Sequence, residues 1–215
     1  EAPFNATPNI SSFLKGDRPN WALIASRLYF ERDIEEEVYD QLLDFATGSG
    51  RGHKIDIVLG SAGYGTTTLL MTLATILVQE KAGPVFMLKP GRDLKEGDVE
   101  FAVSIFDSRP FFFIDSGADY SDKINTVVNI LKVTGKTAMF MLGERLNEWR
   151  QGHGKLSAKE FLLEPLSDPE INRLLECLEK NNALNKLQDL KKDLQIAAIK
   201  VNYNKELLVA LREAT

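Results

Sequence analysis

A chain of 215 residues that is 44% hydrophobic and 27% charged can bury a core without metal or disulfide staples and is too apolar for disorder. Its single cysteine, Cys177, excludes an internal disulfide and a cysteine-based zinc cluster; two histidines, His53 and His153, argue against a multi-histidine metal site. A net charge of −5 argues against a generally basic nucleic-acid surface, and no apolar run approaches the roughly 18 residues of a membrane span.

Residues 1–20, rich in Pro, Asn and Ser, read as an extended arm. Trp21, Ile24 and Leu28 share helical spacing, and Ile34, Val38, Leu42 and Phe45 form one stripe of a second helix over about 33–45. Thr47 to Gly52 is a glycine-rich break. Strands and helices then alternate. Ile55–Leu59, Pro84–Leu88, Phe111–Asp115, Thr137–Leu142 and Phe161–Leu163 read as strands. Thr66–Gln79, Asp98–Phe106, Ser121–Val133 and a short stretch through Trp149 read as helices. This alternation predicts an α/β fold with a parallel sheet covered on both faces. After Pro165 the pattern is all helical. Ser167-Asp-Pro-Glu170 opens a capped helix whose stripe is Ile171, Leu174, Leu175 and Leu178; Cys177 sits beside it as a small core residue. The expected organisation is an arm over 1–20, a core over 21–165 and a helical lid over 166–215. The chain starts without methionine and stops just past the Leu207, Leu208, Leu211 pattern, which reads as part of a longer protein. No secretory signal is visible, so a cytoplasmic location is expected.

The strongest motif is Gly60-Ser61-Ala62-Gly63-Tyr64-Gly65-Thr66-Thr67-Thr68, between an apolar strand and an amphipathic helix. That is the setting of a phosphate-binding loop, in which glycines let successive N–H groups point at phosphate oxygens and the helix N-terminus adds partial positive charge. Gly60 and Gly65 have the required spacing, and Thr67 stands at the magnesium-ligand position. Thr66 stands where the pattern has lysine. Its hydroxyl carries no charge, so nucleotide binding should weaken and hydrolysis should suffer more.

Asp115 ends a strand of four apolar residues, at the edge where ligands of open α/β sheets collect, and suits a magnesium ion held through water. ATPases with such a loop often place a second acid directly after the first to polarise water; a resemblance to them implies that with Ser116 there the base is missing or displaced. Past the fourth strand, Arg145 can fork onto phosphate oxygens and Glu144 can orient water or hold Arg145; the bland alternative is a solvated charge pair. Many phosphate-loop ATPases carry an arginine-bearing turn ahead of the loop strand that packs near adenine; a resemblance to them implies Arg32 and Phe30 as candidates for that wall, with a surface arginine as the alternative. His53 reads as a loop residue.

The extra strand between the loop strand and the Asp115 strand resembles the additional-strand division of phosphate-loop ATPases. There, the strand after the acid strand packs between the acid strand and the loop strand. With the Phe13-Leu-Lys-Gly16 to Trp21 arm, the Arg32 helix, Gly143-Glu-Arg145 and Leu163-Glu-Pro-Leu-Ser167, the chain resembles the STAND class of signal-transduction ATPases over about Trp21–Leu211. The Gly16, Pro19-Asn-Trp21 arm is similar to ATPase modules joined to sirtuin-like or other effector domains in bacterial phage-defence proteins. The resemblance implies an ATP/ADP- and magnesium-dependent switch. Nucleotide holds core and lid together, and the open form becomes a homo-oligomer that activates an effector, with effector and sensor domains in the same chain. A working AAA+-like ATPase acting on DNA or protein, and a pseudo-ATPase scaffold, are the alternatives.

Overall fold

The computed structural model of the chain describes residues 10–48, 53–152 and 156–214. Two compact units are present: Ile34–Ser61 with Thr72–Leu163, and the residues up to Asp33 with Ala62–Met71 and Glu164 onward. The first holds a five-stranded sheet of β1 (Lys54–Gly60), β2 (Val85–Met87), β3 (Phe111–Asp115), β4 (Met139–Arg145) and β5 (Lys159–Leu163). All pairings are parallel and the order is β2-β3-β4-β1-β5. β4 therefore lies between the Asp115 strand and the loop strand, the expected additional-strand arrangement.

β4 takes that central place because Met139 to Leu142 are apolar on both faces and fully buried. On one face Ile55, Ile57, Ile114 and Leu142 join α5 (Glu96–Ile105), α6 (Ser121–Thr134) and Trp149 of α7 (Leu146–Gly152) in one core. Phe86, Phe112 and Phe140 stand in register across β2, β3 and β4 and stack at 5.2 and 5.4 Å between centroids. On the other face Phe45 of α3 (Glu35–Thr47) meets Phe111 edge-on at 5.5 Å.

Asp56 interrupts this apolar pattern. It is 1% exposed, neither carboxylate oxygen has a hydrogen-bond partner among the described residues, and Lys54 Nζ lies 3.6 Å away. Lys54 instead donates to Gln41 at 3.0 Å, while Lys159, opposite Asp56 on β5, lies 3.8 Å from Glu37. Burial raises the Asp56 carboxyl above the ordinary 3.8, only partly offset by Lys54 and Lys159. A raised folded value means stability that is complete below the ordinary value and is lost as pH rises through the folded one. Asp56→Asn is thus expected to stabilise the protein at pH 7.5 by about 1 kcal/mol or more. Its advantage should shrink towards pH 4 in denaturant titrations at both pH values; a pH-independent difference would assign the effect to packing.

The second unit is helical: α1 (Ile10–Leu14), α2 (Trp21–Ala25), α8 (Asp168–Lys180), α9 (Lys192–Ala197) and α10 (Leu207–Ala214), with the first turns of α4 (Thr66–Gln79). Its core gathers Phe13, Leu14, Leu23, Ile171, Leu174, Leu178, Ile199 and Leu207. The capping box of α8 forms as expected, Ser167 accepting from the Glu170 N–H and Glu170 accepting from the Ser167 N–H. Cys177 is half-buried in α8.

Several boundaries differ from the sequence pattern. The stretch read as an extended arm contains α1, because Phe13 and Leu14 bury in the helical core; residues 1–9 lie outside the described residues. α2 stops at Ala25 instead of reaching Leu28, as the chain turns through a left-handed Arg27 at φ 53°. α5 starts at Glu96, two residues early, and α3 at Glu35, two residues late. The glycine break at 49–52 and His153 fall outside the described residues, whereas His53 lies just ahead of β1 as a loop residue.

Candidate functional site: the phosphate loop and its anchors

Within the sheet unit, strand register collects the chemistry-bearing residues at one edge. Gly60 ends β1 opposite Arg145 on β4 and Leu163 on β5, and Asp115 ends β3 opposite Gly143. Arg145 is exposed and pairs with Glu148 one helical turn on, at 2.9 Å. Glu144 is not a solvated charge. It is 6% exposed and accepts from the backbone N–H groups of Ala118 at 2.9 Å and Arg145 at 2.8 Å. Burial raises its carboxyl above the ordinary range, against those two hydrogen bonds and helped by neighbouring Glu148. Glu144 thereby ties β4 to the tight turn Gly117–Tyr120 that follows the acid strand. Ser116, where a second acid would stand, takes the left-handed conformation at φ 60° and ψ 52°. Gly117 beside it is obligatory for space, since a Cβ there would lie 2.9 Å from Leu142 Cβ.

In the helical unit the loop turns sharply into α4. Gly63 and Gly65 take φ of +81° and +95°, values only glycine adopts without strain, and the helix begins at Thr66. Tyr64, between them, is fixed by its backbone: its carbonyl accepts from Arg32 Nη1. Ser61, Ala62 and Gly63 are exposed, and Tyr64 to Thr68 are half-buried. The two glycines also admit a close neighbour. A Cβ on Gly63 would stand 2.6 Å from Leu208 Cβ, and one on Gly65 3.2 Å from Leu207 Cδ2, so α10 rests directly against the loop.

Arg32 is not a surface arginine. It is 6% exposed, and all three guanidinium nitrogens are engaged: Nε with Glu170 at 2.7 Å, Nη2 with the Glu164 carbonyl at 2.8 Å, and Nη1 with Tyr64. Phe30 lies half-buried, its ring 6.0 Å from Arg32 Cζ, a cation–π contact. Asp33 accepts from Ser167 Oγ and pairs with Arg173, whose Nε reaches the Glu31 carbonyl at 2.8 Å. Burial would raise the Asp33 carboxyl, but the Ser167 hydrogen bond and Arg173 outweigh it and lower it. The segment 30–33 is therefore strapped to the start of α8. Neither Glu170 nor Leu208 carries a functional signature: Leu208 belongs only to an apolar helix pattern. The local sequence marks Glu170 only as a capping residue, and its partner Arg32 lies 138 residues away in sequence.

The profile of the Novel STAND NTPase 5 family matches residues 11–157. The chain belongs to that family. Among solved structures, this STAND NTPase is similar to Cdc6p from Pyrobaculum aerophilum (TM-score 0.56, 15% identity, 85% of this chain and 61% of the other). It is also similar to a chain of Drosophila ORC bound to DNA (TM-score 0.56, 15% identity, 89% and 63%). The Thermotoga maritima RuvB branch migration motor gives a TM-score of 0.50 at 15% identity, over 85% of this chain and 60% of RuvB. The STAND NTPase thus spans about three-fifths of the length of these relatives. At such identities the likeness establishes the α/β phosphate-loop fold. No curated protein matches the sequence. Among the described residues, no helix is long and apolar enough to cross a membrane and no His, Cys, Asp and Glu group forms a metal cluster. A magnesium ion held by nucleotide phosphates, water and one or two side chains needs no such cluster.

Proposed function

We propose that this STAND NTPase module is a nucleotide-binding switch: it takes ATP or ADP with magnesium at Gly60 to Thr68 and hydrolyses ATP slowly. By the loop pattern, Thr67 and Asp115 are the magnesium-side residues, Arg145 a sensor of the outer phosphate, and Glu144 the group that holds the turn after Asp115. Phe30 is the better of the two adenine-wall candidates, because the guanidinium of Arg32 is committed to protein acceptors. Residues 166–215 act as the lid. In the whole protein, nucleotide would control homo-oligomerisation and an effector in the same chain, as in phage-defence signalling.

The observation that carries this reading is the packing of Leu207 and Leu208 of α10 on Gly63 and Gly65. This packing of the last helix on the loop supports the reading that a ligand in the loop is felt by the helical region. Nucleotide biases such an arrangement only by its differential affinity for it. Calorimetric titration should give binding of Mg-ATP, and hydrogen exchange should slow at both 60–68 and 166–212 when it is added. No heat and no thermal shift at millimolar nucleotide would sink the binding; protection at the loop alone would sink the lid.

A further inference from the structure

We propose that Glu170, at the start of α8, is a positioning residue of the phosphate loop that acts through Arg32. The inference rests on the nucleotide-binding reading above, but its central measurement needs no nucleotide.

A capping-box glutamate needs one oxygen for its task, and Glu170 uses Oε2 for it, accepting from the Ser167 N–H at 2.9 Å. Oε1 faces the other way. It accepts from Arg32 Nε at 2.7 Å and from the Asp33 N–H at 2.8 Å. Glu170 is 3% exposed and Arg32 6%, so this is a buried, charge-assisted contact rather than a solvated pair. The fork of Arg32 is rigid and planar. Once Nε is held by Glu170 and Nη2 by the Glu164 carbonyl, the direction of Nη1 is set, and Nη1 donates to the Tyr64 carbonyl.

That last contact bears on the loop's chemistry. The peptide joining Tyr64 to Gly65 is planar and trans, so its C=O and N–H point in opposite directions. Holding the Tyr64 carbonyl toward Arg32 therefore turns the Gly65 N–H away from Arg32. The plane of this peptide is set by ψ of Tyr64 and φ of Gly65; glycine at 65 tolerates many φ values, so the contact with Arg32 adds a restraint that the local backbone does not supply. A phosphate loop works by the aim of its N–H groups. Glu170 thus acts on that aim across a chain of two contacts. It also matches the charge of Arg32, so Arg32 supplies geometry and does not stand in for the cation absent at Thr66.

The test compares hydrogen exchange of the nucleotide-free wild type with Glu170→Gln and Arg32→Lys. Lysine keeps a positive partner for Glu170 but has no fork to reach three acceptors. Loss of a hydrogen bond to a charged group should speed exchange of the Gly65 amide and its loop neighbours about tenfold or more in both variants. In Arg32→Lys, the amides of α8 should keep their wild-type rates, which separates aiming of the loop from capping of the helix. Mg-ATP affinity should fall by a similar factor while far-ultraviolet circular dichroism is unchanged. Wild-type exchange across 63–69 in both variants overturns the proposal, and so does faster exchange confined to α8. If Glu170→Gln does not fold, Arg32→Lys alone decides. If the wild type binds no nucleotide, the nucleotide-binding reading fails, and the exchange rates still decide whether Glu170 holds the loop.

Discussion

Thr66→Lys is expected to raise single-turnover hydrolysis of Mg-ATP by about a hundred- to a thousandfold, the usual worth of one preorganised electrostatic group. Residue 66 opens α4 directly after the left-handed Gly65, which is the position from which a lysine reaches the outer phosphates. The threonine there offers a hydroxyl without charge. Affinity should rise too, though less, because backbone amides and the helix terminus already contribute to binding. The rate should still stay below about 1 per second, the lower end for ordinary enzymes, since Ser116 remains where a second acid would polarise water. Thr66→Ala is the control and should leave both quantities near wild type. A lysine variant with no gain in either would mean that the loop does not aim residue 66 at the phosphates.

The second large effect is on stability. Gly63→Ala should cost about 2–4 kcal/mol, combining a left-handed backbone penalty with overpacking. The clash is between two Cβ atoms, 2.6 Å apart, so rotation of the Leu208 side chain cannot relieve it; Leu208 Cδ2 adds a second contact at 2.9 Å. Gly135, at the end of α6, supplies the comparison. Its φ of +65° is also left-handed, but a Cβ there meets nothing within 4 Å. Gly135→Ala should therefore cost only the backbone penalty, about 1–2 kcal/mol. Equal losses in denaturant titrations would show that α10 does not press on the loop in solution.

The sheet was legible because its strands are short apolar runs with clear borders, and parallel order follows once helices are seen to alternate with them. β5 was readable only from Phe161 onward: Lys159 and Glu160 carry no apolar signal, yet they pair with Asp56 and Ile57 on β1. α1 was hidden because five residues are too few to display a helical period, and its burial depends on helices far along the chain. Asp56 carries no sequence signal of its own inside an apolar strand, because its missing hydrogen bond depends on which groups the fold brings beside it. The sequence offers Arg32 as an adenine-wall candidate or a surface arginine, because composition cannot tell an arginine facing a ligand from one facing a carbonyl; the structure shows its guanidinium on protein acceptors. That choice is made by Glu170, which local sequence marks only as the start of a helix.

The strand order also governs what happens while the chain is being made. β1 has two neighbours in the sheet, and both come late: Lys54 waits for Met139, and Gly60 waits for Arg145 and Leu163. At about 5–20 residues per second, a ribosome leaves β1 with both edges open for several seconds after it has been synthesised. Ile57, Val58 and Leu59, fully buried in the finished protein, are exposed to the cell during that interval. A nascent chain arrested before Thr137 thus offers β1 no partner from its own sequence, and chaperone dependence should concentrate in that window of translation.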